Sequence, residues 1–556
     1  MSPQSTTMDA PAETAQTTTM TGGTALVEML RRNGVDTIFG LPGVQLDGFF
    51  SALHDADGAI RVLHTRHEQA TAYMADGYAR VTGREGVFAI VPGPGLLNAT
   101  AALSTAYACH SPVLCVTGQI RSDMIDHGRG MLHEIPDQLG MIRHVTKHAA
   151  RAMTPGEVPG VVDEAFRQLR TGRIRPVEIE VPPDTLFASA DVALLPETAA
   201  RVQDEPDPGL IARAAKALAE SSSPLIYAGG GVLAGKAWSE LLRLAELLQA
   251  PVVMTRNGKG SISDRHFLAH SEVTELELRP KADVVLAVGT RLVNSSSEPR
   301  TFHAETTLIR VDIDPVEVTR DLSPTLSIVA DAGAAMTALA DEIERVGAVR
   351  ASREEELTAL KRTVDERIRG VMPQGAYGMA IRQALPDDGI VVGEMTQLGY
   401  WSNVGLPIYE PNTYLTPGYQ GTLGWGFCTA LGAKVGKPGT PVVSINGDGG
   451  FGFTMNELAT MAQHEIAAVV LVFNDSAYGN VRRIQKVDLG GKLIASDLRN
   501  PDYLKLADAH GVVGRRAESP EALRTHVEEA IKADEPTLIE IPVGEMPNPW
   551  TVLKLR

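Results

Sequence analysis

The chain alternates two periods. Runs of branched apolar residues read as buried strands, and between them apolar positions recur every three to four residues, as on one face of a helix. Thr24 to Asn33 is such a helix, stopped by Gly34, and Thr37-Ile38-Phe39-Gly40 is a strand that turns at Leu41-Pro42-Gly43. Gln69 to Val81 reads as a helix. Gly86 to Val91 is a strand closed by Pro92-Gly93-Pro94-Gly95, and Pro112 to Thr117 is a strand followed by Gly118-Gln119. Strands alternating with helices, each closed by a glycine or proline turn, predict doubly wound parallel sheets that bind ligands at the strands' C-terminal ends.

The pattern restarts twice. After Pro182-Pro183 and a Pro/Glu/Asp-rich stretch from Leu195 to Pro208, a helix from Ile211 and a strand from Pro224 to Ala228 open a second unit, with Gly229-Gly230-Gly231 as its turn. A polar, charge-alternating helix from Ser352 to Arg369 then separates it from a third unit beginning near Tyr377. The expected fold class is α/β: three doubly wound parallel-sheet domains over residues 21–190, 205–345 and 372–545. Residues 1–20 are rich in Thr, Gln, Met and Ala, with no basic start and no apolar segment, so a disordered tail is expected there and not a signal peptide.

In the third unit, Pro441 to Asn480 reads as strand, glycine turn, helix, strand. Thr454-Met455-Asn456-Glu457 has the spacing of a capping box, so a helix is expected to start there. The two strands should lie parallel, which brings Asp448 beside Asn474-Asp475. Gly447-Asp448-Gly449-Gly450-Phe451-Gly452 also fits the dinucleotide fingerprint GxGxxG, although Asp448 would repel a pyrophosphate unless a cation lay between them. A plain βα turn is the remaining reading. Carboxylates beside backbone amides and a helix N-terminus can hold a hard cation together with a diphosphate. Gly230 to Lys236 has the phosphate-loop spacing GxxxxGK, but Ala237 replaces the Ser or Thr that ligates magnesium, so it reads as structural. Glu68 opens a helix whose inward positions are Ala72, Ala75 and Ala79; alone, it fits a dipole-matched surface residue as well as a functional carboxyl.

Composition removes several classes. Lys and Arg number 51 against 68 Asp and Glu, a formal charge of −17, which argues against nucleic acid or an anionic membrane as the main partner. Cys109, Cys115 and Cys428 are too few for a disulfide framework or a CxxC metal site, so a reducing cytoplasm is expected. No run of 18 apolar residues exists to span a membrane. The glycine-dense loop from Pro417 to Gly426 implies backbone closely applied to a flat ligand or another chain.

Four motifs in order carry a family resemblance: Phe39-Gly40-Leu41-Pro42-Gly43; Arg66-His67-Glu68-Gln69 with Gly77-Tyr78-Ala79-Arg80; Gly118-Gln119; and Gly447-Asp448-Gly449 ending at Asn474-Asp475. From about residue 22 to 545 the chain resembles thiamine diphosphate-dependent enzymes of the acetolactate synthase, pyruvate oxidase and benzaldehyde lyase type. The resemblance implies pyrimidine-binding, central and diphosphate-binding domains. It implies that Glu68 hydrogen-bonds N1′ of the aminopyrimidine and so promotes loss of the thiazolium C2 proton, with a carboxyl pKa raised by a dry pocket. It implies that Leu423 bends the cofactor, that Gly421 offers its carbonyl to the 4′-amino group, and that Thr396 and Gln397 meet diphosphate oxygens. Gly447, Gly449, Gly450, Tyr478 and Gly479 fall in the cofactor cradle. Asp448 and Asp475 are the implied Mg2+ ligands, with the carbonyl of Ala477. Asp475 stands where the family usually has Asn, and Asp is also a good oxygen ligand. Gln45, Gln119 and His133 match positions that line the reaction centre; His133 replaces a usual glutamine and fits either a proton shuttle or a neutral donor. His67 and His110 read as structural. The resemblance also implies an obligate homodimer, or a homotetramer built from two, because the pyrimidine domain of one chain meets the diphosphate domain of another.

The reaction implied is decarboxylation of a 2-oxo acid such as pyruvate followed by addition to an aldehyde or ketone. A C–C lyase acting on an acyloin, or a simple decarboxylase, is the alternative; a non-catalytic thiamine-fold regulator is disfavoured by Glu68. FAD is disfavoured because the segment from His270 to Asp283 is short and lacks the Gly-rich loop that packs on a flavin. Tyr478 to Gln485 departs from the segment typical of biosynthetic acetolactate synthases. Within it, Arg482 and Arg483 fit either a carboxylate fork or a solvated helix face.

Overall fold

The computed structural model describes residues 17–199, 205–347 and 350–555. Three six-stranded sheets, every strand pair in them parallel, follow one another along the chain. Across the first sheet the strands run Arg61–His64, Thr37–Gly40, Gly86–Ile90, Val113–Gly118, Val177–Val181, His148–Arg151. The third runs Tyr414–Leu415, Ile390–Gly393, Val442–Gly447, Val469–Asn474, Thr537–Pro542, Val513–Arg516. Counted along the chain, both have the order 2-1-3-4-6-5. The central sheet runs Ala269–His270, Val252–Met254, Pro224–Ala228, Val284–Val288, Thr307–Asp312, Leu326–Val329, which is 3-2-1-4-5-6.

Strands buried on both faces should be apolar throughout, and Val284–Val288 and Val469–Phe473 are. Val177–Val181 departs from that, as do the strands holding buried Arg310, Asn446 and Glu540. The sequence of Val177–Val181 is VEIEV, and Glu178 and Glu180 are both fully buried.

One expectation needs correcting and another refining. Thr18–Thr21, most of which composition assigned to the tail, form a strand antiparallel to Ser189–Val192, with Thr19 bonded to Asp191 at 2.6 Å. The rest of that tail, residues 1–16, lies outside the described residues. A helix does start at Thr454, as a 3-10 turn Met455–Glu457 running into the α-helix Leu458–Gln463, but without the expected cap. Helical turns begin at once after the strand, at Asp448–Phe451, and Thr454 makes no side-chain cap. Its hydroxyl donates instead to the carbonyl of Gly424 at 3.2 Å, while Glu457 accepts the backbone N–H of Arg66 at 3.0 Å. Both capping-box side chains are spent on tertiary contacts, which outweigh a local cap.

The first and third domains share one apolar core. Helices Glu68–Thr82 and Trp425–Gly436 pack closely because both are cut by glycine: a Cβ at Gly77 would run into the carbonyl of Thr429, and one at Gly432 into that of Met74. The pairing of 77 with 429 and 74 with 432 makes the helices antiparallel. Buried Asp76 accepts from Trp425 Nε1 at 3.0 Å and from Ser111, and Arg80 donates to the Thr416 carbonyl at 2.9 Å. The Gly77-Tyr78-Ala79-Arg80 motif therefore joins the domains within one chain.

Candidate active site

The diphosphate side of the site is built where the third sheet's strands end. Val442–Gly447 and Val469–Asn474 are neighbours, so Asp448 and Asp475 converge. They line a cavity of about 300 Å3 together with Thr396, Gln397, Gly421, Leu423, Gly447, Gly449, Gly450, Ala477, Tyr478 and Gly479. Glycine is needed in it: a Cβ at Gly479 would meet the Asp475 carboxyl, and one at Gly449 would lie 2.6 Å from the Tyr478 ring. Gly421 has φ +58°, open to glycine at no steric cost. Thr396 caps helix Gln397–Gly405 by accepting from Gly399 N at 2.9 Å, so the cavity receives that helix's N-terminus.

Two carboxyls this close resist joint ionisation. Burial, then the neighbouring Asp448, pushes Asp475 up to about 6, and burial also raises Asp448. Among the described residues no group of three His, Cys, Asp or Glu side chains gathers as a metal cluster. Two carboxylates and the Ala477 carbonyl nevertheless suit a hard cation that keeps other oxygen ligands, and a cation would relieve their repulsion. Asn474 turns its amide elsewhere: Nδ2 donates to Glu540 at 2.8 Å, and Oδ1 accepts from Ser476 N at 3.1 Å.

The second half lies at the strand ends of the first sheet. Glu68, half-buried at the start of its helix, accepts from Asn98 Nδ2 at 3.0 Å, and its Oε1 lies 3.6 Å from where a Cβ would stand on Gly95. Gln45 and His133 come together, and the backbone just before Gln119 lies against Gln45. His133 Nδ1 lies 2.9 Å from Gln45 Oε1, and Gly118 sits so close that a Cβ there would be 2.9 Å from that of Gln45. Gln45 Nε2 donates to the Leu132 carbonyl at 3.0 Å. A carbonyl can only accept, so the Gln45 oxygen must face His133, and His133 must donate from Nδ1. The neutral imidazole then presents a lone pair at Nε2 rather than an N–H. His133 has φ +69°, and its carbonyl abuts Gly93, where no side chain would fit. Left-handed backbone in a non-glycine residue is strained and needs surrounding structure to hold it.

The two halves do not share one cavity in the chain. Neither Glu68, Gln45, Gln119 nor His133 lines the Asp448 cavity. Glu68 opens one of the antiparallel helices, and Gly421 and Leu423 precede the other. Thr422, between Gly421 and Leu423, bonds Thr105 at 2.7 Å, so the loop before the second helix also packs on the first domain.

Arg482 pairs with Asp497 at 2.8 Å, and Arg483 donates to Asn480 at 3.3 Å. Tyr478–Gly479 line the cavity but these arginines do not. His67 caps its own helix through Gln69 N at 3.1 Å. Burial lowers His110 to about 3. It lines a separate cavity of about 340 Å3 at the central sheet's switch point, between Gly230-Gly231 and Gly289-Thr290, which also takes in Lys236 of the GxxxxGK spacing.

Sequence reasoning missed several polar supports. Asn500 bridges Asp448, at 2.6 Å, and Asn474, at 2.9 Å. Glu394 is fully buried. Its Oε1 accepts from Gly424 N at 2.6 Å, its other oxygen has no partner, and burial pushes it up to about 7. Asn98 and Glu180 were missed too. A carboxyl in an otherwise apolar strand was the readable signal for Glu180; Asn98 and Asn500 carried none.

Comparisons with known proteins match all three domains. Family models described as the thiamine pyrophosphate enzyme N-terminal TPP binding domain, central domain and C-terminal TPP binding domain match residues 20–141, 211–339 and 394–541. A protein named as a probable acetolactate synthase large subunit in Methanocaldococcus jannaschii is 34% identical, over 94% of this chain and 92% of its own. A probable 2-ketoarginine decarboxylase of Pseudomonas aeruginosa is also 34% identical, over 94% of each chain. An acetolactate synthase of Arthrospira platensis is 31% identical, again over 94% of each.

Proposed function

Because the chain belongs to the thiamine pyrophosphate enzyme family, we propose that it decarboxylates a 2-oxo acid and joins the remaining carbons to an aldehyde or ketone, at a site completed by two copies of the chain. It is an enzyme of the acetolactate synthase-like group, and thiamine diphosphate is its cofactor. When bound, that cofactor supplies the carbon nucleophile and the electron sink.

The observation that carries the reading is that Asp448 and Asp475 line a cavity that none of Glu68, Gln45, Gln119 and His133 reaches. Asp448, Asp475 and the Ala477 carbonyl would hold Mg2+, and Thr396, Gln397 and the Gly447–Gly450 turn would hold the diphosphate. Glu68 would hold a proton at the pyrimidine N1′ position, steadied by Asn98. Gln45, Gln119 and His133 would face the substrate, with His133 Nε2 able to take and return a proton. In a two-fold dimer each chain would lend Glu68 to its partner's diphosphate half, giving two equivalent sites.

The second reading, a decarboxylase that releases free aldehyde, is favoured by the Pseudomonas relative's name. Incubation with pyruvate and a panel of larger 2-oxo acids, with thiamine diphosphate, Mg2+ and a range of aldehyde acceptors, separates the two. Carboligation products support the proposal, aldehyde alone supports the second reading, and no CO2 from any 2-oxo acid defeats both. The central cavity is read as free of flavin, which a purified protein without absorbance near 450 nm would support.

A further inference from the structure

Two buried glutamates stand on one face of strand Val177–Val181, where an all-parallel sheet normally carries apolar side chains. Their situations differ. Glu178 has no partner on either oxygen, and burial, then the charge of Glu180, holds its pKa well above the usual carboxylate range, so it stays protonated. Glu180 is surrounded by donors. Arg151 Nε and Gln119 Nε2, the latter at 3.3 Å, reach Oε1, and Gln138 Nε2 reaches Oε2 at 2.6 Å.

Each of those amides also has a second task. The Gln119 oxygen accepts the N–H of Ile120 at 2.7 Å. Reversing that amide would set its NH2 against an N–H and its oxygen against a carboxylate, so its orientation is fixed from both sides. The second Nε2 proton remains for a ligand. Gln138, 1% exposed, accepts from Gly93 N at 2.9 Å and donates to the Gly118 carbonyl at 3.1 Å, which ties together the two turns that close the first sheet's middle strands.

We propose that Glu180 is a positioning residue, which with Gln138 locks Gln119 so that its amide offers an N–H to an oxygen of the 2-oxo acid. The proposal rests on the reading of Gln119 as a reaction-centre residue. Glu180 does not itself meet substrate. It acts by holding the amide in its donor orientation before substrate arrives, a form of preorganisation.

A double-mutant cycle tests it, on pyruvate or on the 2-oxo acid turned over fastest in the panel above. Glu180→Gln is isosteric but sets an NH2 against either Gln138 or Gln119 and Arg151. It is expected to raise KM for the 2-oxo acid about tenfold, the loss of one well-made hydrogen bond, with affinity for thiamine diphosphate unchanged. Gln119→Ala should raise KM at least as much, and the double variant should be no worse than Gln119→Ala alone. Gln138→Met, a near-isostere that leaves the Arg151 pair intact, should repeat the Glu180→Gln effect if the latter fails to fold. Effects that multiply, or a Glu180→Gln enzyme with unchanged KM, overturn the proposal. Unchanged KM in Gln119→Ala would remove Gln119 from the substrate and overturn the proposal too, while leaving the reaction class standing. No turnover of any 2-oxo acid would mean that the function itself had failed.

Discussion

The first and third domains are the same sheet used for opposite chemistry. Both have the strand order 2-1-3-4-6-5, all parallel, with their working turns at strand C-terminal ends. In the third domain those turns gather two carboxyls, a helix N-terminus and glycines that leave room for a ligand. In the first they gather two glutamines, a histidine and one glutamate, with Gln45 bonded to both His133 and Leu132. On the proposed reading, the third domain would bind charge and the first would place protons. The fold therefore says little about the chemistry, which sits in the turn residues grafted onto it. The central domain makes the same point, since its order, 3-2-1-4-5-6, puts a cavity at a switch point lined instead by Asp312, Glu317 and Asp331 among Arg173, Arg291 and Lys236.

If this division is right, breaking the two domains should give different defects. The largest is expected from Glu68→Gln, which keeps shape and removes the titrating proton. Turnover should fall about 10²- to 10⁴-fold, the usual range for a lost acid–base group, with thiamine diphosphate still bound. Asp448→Ala should instead act on binding, lowering apparent affinity for Mg2+ and cofactor by at least 10- to 100-fold in titrations followed by fluorescence or calorimetry. If either variant shows the other's defect, the contrast between the domains is wrong.

Much of this contrast was legible in the sequence, and particular residues show why the rest was not. Glu68, Asp448 and Asp475 sit in local motifs, and the strands around them are apolar enough to read by period alone. Asn500 and Asn98 support those residues from 52 and 30 positions away, and neither stands in a pattern that betrays it. The helix start at Thr454 was read correctly from local spacing, but its side chains bond Gly424 and Arg66 rather than cap it, and only the folded chain brings those near. The division of the site came to the sequence through a family resemblance. The antiparallel packing at Gly77 and Gly432 fixes only how the first and third domains of one chain meet.

Smaller effects sharpen the picture. Gly77→Val would drive a side chain into the Thr429 carbonyl and should destabilise the domain junction by about 1–3 kcal/mol or more, read from chemical denaturation. The smallest effect concerns Glu394. Its folded pKa, about 7, lies above its ordinary 4.5, so the folded state favours the protonated form. The stability it contributes is complete below pH 4.5 and is lost as pH rises through 7. Melting temperatures across that window should fall less steeply in Glu394→Gln than in the parent protein, and parallel curves would remove Glu394 from the account.

The central claim, one site shared between two chains, is tested most directly by mixing two inactive variants. Glu68→Gln and Asp448→Ala chains, separately tagged and co-expressed, would form hybrids in which one of the two sites draws both Glu68 and Asp448 from unmodified halves. Random pairing should restore about a quarter of the parental activity, all of it in the doubly tagged fraction. A purified hybrid as inactive as either parent variant would show that each chain builds its site alone, and would contradict the account.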